Sequence, residues 1–247
     1  MKLAIIPPNG SLDLAHIGDV YFALAHFSNP EYNAFYRKAA DAGKHVILDN
    51  GAFELGKSVD WEVLMNVADA MHATEVIAPD VQWQPDETLQ EASDFALWFR
   101  EHHYDRRFKL MSVVWSHGPD DYLEYFARHK EMVAPDRYGI GKWLEGKYAL
   151  GTRMHTIYKI QKKFNLGPER FHALGCPRPI EVSLMRDVVW SMDTGMASKA
   201  ALQGHAVDPW SIYDIPNVEL TALTDEQYAL SERNARLLVD AARGLLD

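Results

Sequence analysis

The stretch 45-HVILDNGAFELG-56 sets an apolar run against an acid, a Gly and a Phe within a few residues. His45 to Leu48 read as a strand too hydrophobic to face water on either side, as in a parallel sheet covered on both faces. Asp49 falls where that strand would stop, and Asn50-Gly51 then bends the chain sharply. A buried strand ending on a carboxylate has two readings. Either Asp49 caps a turn, or a rigid scaffold holds it at the floor of a pocket. The device recurs: run 75–78 is followed by Pro79-Asp80, and run 188–192 by Asp193. Asp is common at strand ends and helix caps, but three such acids after nearly unbroken apolar runs favour a shared site.

Working outward, short apolar runs occupy 3–6, 21–27, 45–48, 75–78, 110–115, 138–140, 171–174 and 188–192. Segments with helical spacing lie between most of them. Segment 29–42 opens Asn29-Pro30-Glu31, a cap followed by Pro at the first helical position. Segment 61–71 follows an Asp60 cap, and 86–103 puts Leu89, Ala92, Phe95, Ala96 and Phe99 on one face. Segments 120–132, 154–164 and 179–186 are further helices, and Thr224 with Gln227 gives a capping-box signature before the last. The link between the first two strands is too short for a full helix. The pattern is α/β and predicts a single (β/α)8 TIM barrel over residues 1–247, with the acids at its C-terminal face, where barrel enzymes carry their active sites.

The chain has 247 residues, 47% hydrophobic and 24% charged, which fits one barrel-sized globular unit. Cys176 is its lone cysteine, so neither an internal disulfide nor a thiolate metal cluster can form, and a cytoplasmic setting is expected. The opening MKLAIIPPNG reads as neither signal peptide nor membrane span, and no later apolar run reaches membrane length. The net charge of −10 argues against a general nucleic-acid coat protein. Residues 142–170 break that trend at net +5, through Lys142, Lys147, Arg153, Lys159, Lys162, Lys163 and Arg170 against Glu145 and Glu169. That run is either a solvated helix face or the phosphate-contacting edge of a nucleic-acid site.

Phe53, Trp83, Trp115 and Trp143 stand at or just beyond strand ends, where aromatics can sandwich a flat heterocycle. Stacking is worth about 1–3 kcal/mol per base, although a lone Trp is more often a packing residue. In 138-YGIGKW-143 the glycines, Gly141 among them, let backbone approach a ligand, but this is no dinucleotide fingerprint. His26, His117 and His172 read as hydrogen-bonding or structural histidines rather than metal ligands, and no cofactor is expected.

LDNGAFELG at 48–56, APD at 78–80, YGIGKW at 138–143, FHALGCPRP at 171–179 and SMDTGMAS at 191–198 together resemble the tRNA-guanine transglycosylase superfamily. The short form is most similar to its DNA-modifying 7-deazaguanine transglycosylases, found in phages and bacterial DNA-modification clusters. The resemblance implies base exchange through a covalent sugar–enzyme intermediate, guanine leaving and a 7-deazaguanine such as preQ0 or preQ1 entering. It implies Asp193 as nucleophile, Asp49 as acid/base, and Asp80 as the carboxylate holding the base's amino edge. Phe53, Trp115, Gly141, Lys142, Trp143 and Gly175 would line the base site, with Lys147, Arg153, Lys159, Lys162 and Lys163 on the nucleic acid. The chain departs from the tRNA enzymes in three ways. Their cysteine-rich zinc subdomain and the C-terminal tRNA-binding extension that some of them carry are not expected here, and Trp115 stands where they carry a base-reading Gln.

DNA is therefore the expected polymer, ahead of tRNA. The same chemistry on a free nucleoside or nucleotide suits the overall acidity. A non-catalytic base- or nucleic-acid-binding partner subunit is the third reading, against which the three aspartates count. The oligomeric state stays open, a homodimer included, and no membrane partner is expected.

Overall fold

Apolar runs too short to bury themselves alone pair here with their neighbours, each in parallel. The strands are β1 (Lys2–Ile5), β2 (Tyr21–Leu24), β3 (Val46–Asp49), β4 (Glu75–Ile77), β5 (Lys109–Val114), β6 (Arg137–Gly141), β7 (Phe171–Leu174) and β8 (Ser191–Thr194). The computed structural model describes residues 1–246. Its sheet runs β1-β8-β7-β6-β5-β4-β3-β2. β1 pairs with β8, Ala4 opposite Asp193, and a bridge from Ala4 to Val20 brings β2 back beside β1. The ring is a (β/α)8 TIM barrel, as the repeat of runs and helices predicts.

The helices are α1 (Pro30–Asp41), α2 (Ala52–Leu55), α3 (Trp61–Met71), α4 (Pro85–Glu101), α5 (Tyr122–Met132), α6 (Trp143–Lys147), α7 (Thr152–Phe164), α8 (Ile180–Leu184), α9 (Met196–Leu202) and α10 (Asp225–Arg243). Their starts obey capping chemistry. The Asn29 side chain accepts from the amides of Glu31 and Tyr32, and Asp60 accepts from Glu62. Thr224 and Gln227 form the reciprocal capping box of α10. Between β1 and β2 the chain makes only 3-10 turns, at Asn9–Ile17, as the short link requires.

Two runs are divided differently from the sequence reading. Run 21–27 leaves the sheet after Leu24 and winds into a 3-10 turn, Ala25–Phe27. Run 188–192 is mostly not strand. Val188 and Val189 are buried in the turn before it, and β8 begins only at Ser191. Asp193 consequently lies within its strand rather than beyond it.

Alternation along β3 sets up the site. Val46 and Leu48 join the apolar cluster containing Leu64, Met65 and Ala68 of α3, whereas Ile47 joins the one containing Phe22 and Ile77. Asp49, two residues after Ile47, shares its side of the strand and points away from the helix layer. Among the described residues, no helix is long and apolar enough to cross a membrane.

Polar side chains plug the N-terminal end of the barrel. Glu75, fully buried, takes His45 Nε2 at 2.7 Å and the Arg137 guanidinium on one carboxylate oxygen. That guanidinium also lies 3.7 Å from the centroid of the Trp190 ring. A cavity of about 590 Å³ opens beside the plug, lined by His45, Lys109, Arg137, Arg170 and Trp190 among others. It faces away from the strand-end acids. Removing one partner of a buried ion pair strands the other, which costs about 3–5 kcal/mol. Glu75→Gln should therefore lower the unfolding free energy by about that amount, read from the shift of the urea midpoint at unchanged slope.

Candidate active site

At the C-terminal mouth, three neighbouring strand ends carry the acids' supports. Asp49 is the last residue of β3, and its Oδ2 accepts the Gly51 amide at 2.9 Å. That contact needs the tight turn at Gly51, whose φ of +81° suits glycine alone without strain. Asn50, 1% exposed, spans the gap to β4: its side-chain amide donates to the Ala78 carbonyl at 2.7 Å and to Asp80 Oδ1 at 2.8 Å. Trp115, just after β5, donates its indole N–H to Asp80 Oδ2 at 2.8 Å. Asp80 is thus fixed from both sides, each oxygen keeping a lone pair for a further donor.

Asp193 is held from one side only. Its Oδ1 accepts His172 Nε2 at 3.0 Å and the Gly175 amide at 2.9 Å. The other ring nitrogen of His172 lies 2.6 Å from Ser191 Oγ; the tautomer that carries its proton on Nε2, toward Asp193, takes the serine hydroxyl's hydrogen bond on Nδ1. Phe22 stacks on the imidazole at 5.6 Å, which holds the ring in place. Asp193 Oδ2 accepts no hydrogen bond among the described residues. A carboxylate with one oxygen tied and the other open is the arrangement a nucleophile needs.

Burial pushes the Asp49 carboxyl well above the usual range, reinforced by the charges of Glu54, Asp80 and Asp193. Asp49 is therefore close enough to both Asp80 and Asp193 to feel their charge. Burial also raises Asp80, against the lowering effect of its Asn50 and Trp115 hydrogen bonds. Glu54, from α2, is raised chiefly by burial. Carboxyls tuned upward can donate protons near neutral pH, which an ordinary Asp cannot.

Two lysines complete the charge pattern. Lys142 Nζ sits 4.2 Å above the half-exposed Phe53 ring, a cation–π contact. Lys199, from α9, donates to Asn217 Oδ1. Burial lowers both ammonium groups, partly countered by Asp193 and Glu54. Neither lysine has a carboxylate within ion-pair distance among the described residues.

The aromatic residues divide. Trp115 and Trp143 are each 7% exposed and lie nearly parallel at 5.7 Å, so they wall the site and present little free face. Trp115 serves it through its N–H on Asp80. Gly141 makes room for Trp143, since a Cβ there would meet the indole Cδ1 at 2.7 Å. Of these three tryptophans, Trp83 and not Trp115 offers an open surface. It is 58% exposed, packs edge-on against both buried indoles, and holds a φ of +63°, rare for a bulky residue. Such strain persists only where the surroundings enforce it.

The basic run is not one surface. Arg153 is fully buried, ion-paired to Glu181, and donates to the carbonyls of Leu174 at 3.1 Å and Gly175 at 2.9 Å. It ties α7 to the end of β7 and cannot touch a nucleic acid. Lys159, Lys162 and Lys163 are exposed, but α7 descends from the mouth, which carries its last turn about 16 Å away along the helix axis. Arg170 lines the cavity beside the Glu75 plug, at the N-terminal end of the barrel. Of the positive charges in 142–170, Lys142 and Lys147 are those that remain at the mouth, Lys147 standing 6.0 Å from the Trp83 ring. The charge count along the chain averaged over three different environments.

The sequence reading missed Asn50, Glu54 and Lys199. Asn50 and Glu54 lie inside the opening stretch, where only Asp49 stood after a strand. Lys199 was legible as the one charge in the α9 sequence MASKAAL, whose other residues are nearly all buried. Among the described residues, no group of three or more His, Cys, Asp and Glu side chains is placed to hold a metal ion.

The raised Asp49 pKa has a thermodynamic consequence. A carboxyl whose folded pKa lies above its unfolded value stabilises the fold fully below the unfolded pKa, near 4, and loses that contribution as pH rises through the folded pKa. Asp49→Asn, which keeps an acceptor for the Gly51 amide, should make the protein more stable than wild type at pH 7. The gain should shrink to nothing as the pH falls toward 4, as read from paired denaturant titrations across that range. A comparison with known proteins finds no family model that matches the chain, and no similar sequence among curated proteins.

Proposed function

We propose that the protein is a base-exchange transglycosylase that replaces guanine by a 7-deazaguanine on a nucleotide, DNA being the leading substrate. The observation that carries this reading is the Asp193 carboxylate, tied through Oδ1 to His172 and Gly175 and open at Oδ2, across the mouth from acids of raised pKa. Oδ2 attacks the anomeric carbon, an Asp193–sugar ester forms, and the glycosidic bond breaks with its electron pair going to the base. Asp49, protonated because burial and neighbouring acids hold its proton, gives that proton to the departing base nitrogen. The incoming base returns its N–H proton to Asp49 and attacks the same carbon, releasing Asp193.

Asp80 suits the role of base reader. Both its oxygens are oriented by fixed donors, and its remaining lone pairs match an amino edge. Trp83 supplies the exposed ring on which a base could stack. A second reading, the same exchange on a free nucleotide, is favoured by the position of Lys159, Lys162 and Lys163 down α7, away from the mouth. Gripping a long polymer needs charge along its path, and that helix face does not provide it at the site.

Asp193→Asn should abolish exchange while leaving the unfolding midpoint close to wild type, since an amide keeps the shape but is not a nucleophile. Asp80→Asn should raise KM for the base about tenfold or more, the usual loss on removing a charge-assisted hydrogen bond. Labelled guanine exchange into DNA and into free nucleotides, with trapping of the covalent adduct on denaturing gels, measures both. Full exchange by Asp193→Asn would falsify the assignment of the nucleophile.

A further inference from the structure

The side chains of Lys142 and Lys199 are anchored on the two glycines nearest Asp193. A Cβ on Gly175, whose amide binds Asp193, would meet Lys142 Cδ at 2.8 Å; one on Gly195, two residues after Asp193, would lie 3.5 Å from Lys199 Cε. Both stems therefore run close to the residues that flank Asp193, and the two ammonium groups are near enough for the charge of Lys142 to act on Lys199. Both lysines are half-buried; Lys199 bonds the neutral Asn217, and Asp193 and Glu54 lie near enough to favour both ammonium charges without forming an ion pair with either among the described residues. Lys142 rests on the Phe53 ring, which orients its ammonium without neutralising it. Two partly desolvated cations beside a nucleophile, with no carboxylate paired to either, leave positive charge for a ligand to satisfy. Asn217 belongs to a segment laid across this side of the mouth, where the Ile180 amide binds Ser211 O and the Ile215 amide binds Pro177 O.

We infer that Lys142 and Lys199 form a two-ammonium grip for a phosphate carried by the sugar that Asp193 attacks, so that the substrate is a phosphorylated nucleotide unit and not a nucleoside. This rests on the proposed exchange chemistry only for the identity of the sugar. Two Nζ groups in one neighbourhood suit a tetrahedral oxyanion, each supplying a charge-assisted hydrogen bond to a different oxygen. Held this way, the phosphate would fix the sugar's anomeric carbon against Asp193 Oδ2. Phosphate from a free nucleotide and phosphodiester from a strand share this chemistry.

Calorimetric titration of guanosine, GMP, ribose 5-phosphate and an oligonucleotide lacking terminal phosphates into wild type, Lys142→Gln and Lys199→Gln tests the grip. Wild type should bind GMP about tenfold or more tighter than guanosine, and either substitution should remove most of that preference, weakening GMP by a clearly larger factor than guanosine. Ribose 5-phosphate should bind wild type and weaken in parallel in both variants. Lysine-dependent binding of the oligonucleotide would identify the source as a phosphodiester; its failure to bind beside lysine-dependent GMP would identify a mononucleotide. Equal binding of guanosine and GMP by wild type would overturn the grip. So would an equal loss for both ligands in the variants, which marks a structural role. Because ribose 5-phosphate carries no base, its binding reports on the lysines even if no base exchange is ever detected, and exchange with no phosphate preference would sink the grip alone.

Discussion

The ladder between β8 and β1, with Ala4 opposite Asp193, joins the last strand to the first. In an open sheet of the same order, β8 and β3 would stand five strands apart, about 24 Å at ordinary strand spacing. Asp193 could not then act on anything held by Asp49. Closure through Ala4 and Val20 brings β8 within three strands of β3 by the other way round, and the ring sets their ends facing one another. Parallel pairing does the rest, because strands that all run one way deliver all their C-terminal residues to one mouth. The coulombic influence of Asp193 on Asp49 is a direct result of that closure.

Crowding acids at one mouth is unfavourable for folding and useful for chemistry. Burial raises Asp49, Asp80 and Glu54, and neighbouring carboxylates add to the effect at Asp49 and Glu54. Stabilising contacts are distributed accordingly. Asp80 has two fixed donors, Asp193 two on one oxygen, and Asp49 a single backbone amide. Of Asp49 and Asp80, the acid with the single donor is the one pushed further up. Lys142 and Lys199 offset part of the negative charge without pairing with any one carboxylate. The opposite end of the barrel follows a different logic: at Glu75 one carboxylate oxygen takes both His45 and the Arg137 guanidinium, so the acid there is ion-paired rather than left among other acids.

Much of the barrel was legible because its strands are buried on both faces and its helices carry explicit caps. Run 45–48 and its Asp49 terminus, the Asn29 and Asp60 caps and the Thr224–Gln227 box all appear where their chemistry requires. The run at 188–192 misled for a physical reason. Hydrophobicity reports burial and not backbone geometry, and Val188 and Val189 are buried in a turn. Arg153 misled for a related one. A charge in the sequence has no depth, and this guanidinium spends its donors on Glu181 and on carbonyls at the end of β7. Trp115 was placed at the site by its position but assigned the wrong surface, since only the fold shows that its N–H and not its face meets Asp80.

Arg153 also shows how the scaffold reaches the chemistry without touching it. Its guanidinium holds the carbonyl of Gly175, whose own amide positions Asp193 Oδ1. Glu145 accepts the amides of Arg153 and Gly151, which fixes the start of α7 beneath the loop carrying Lys142. A left-handed Gly175, at φ +68°, is what lets one residue present its carbonyl to Arg153, its amide to Asp193 and an empty Cβ position to the Lys142 stem. The buried ion pair and the open carboxylate therefore share a single peptide turn. The rigidity of the first is the condition for the orientation of the second, and this is why a positive charge that looks like a surface contact in the sequence belongs to the interior.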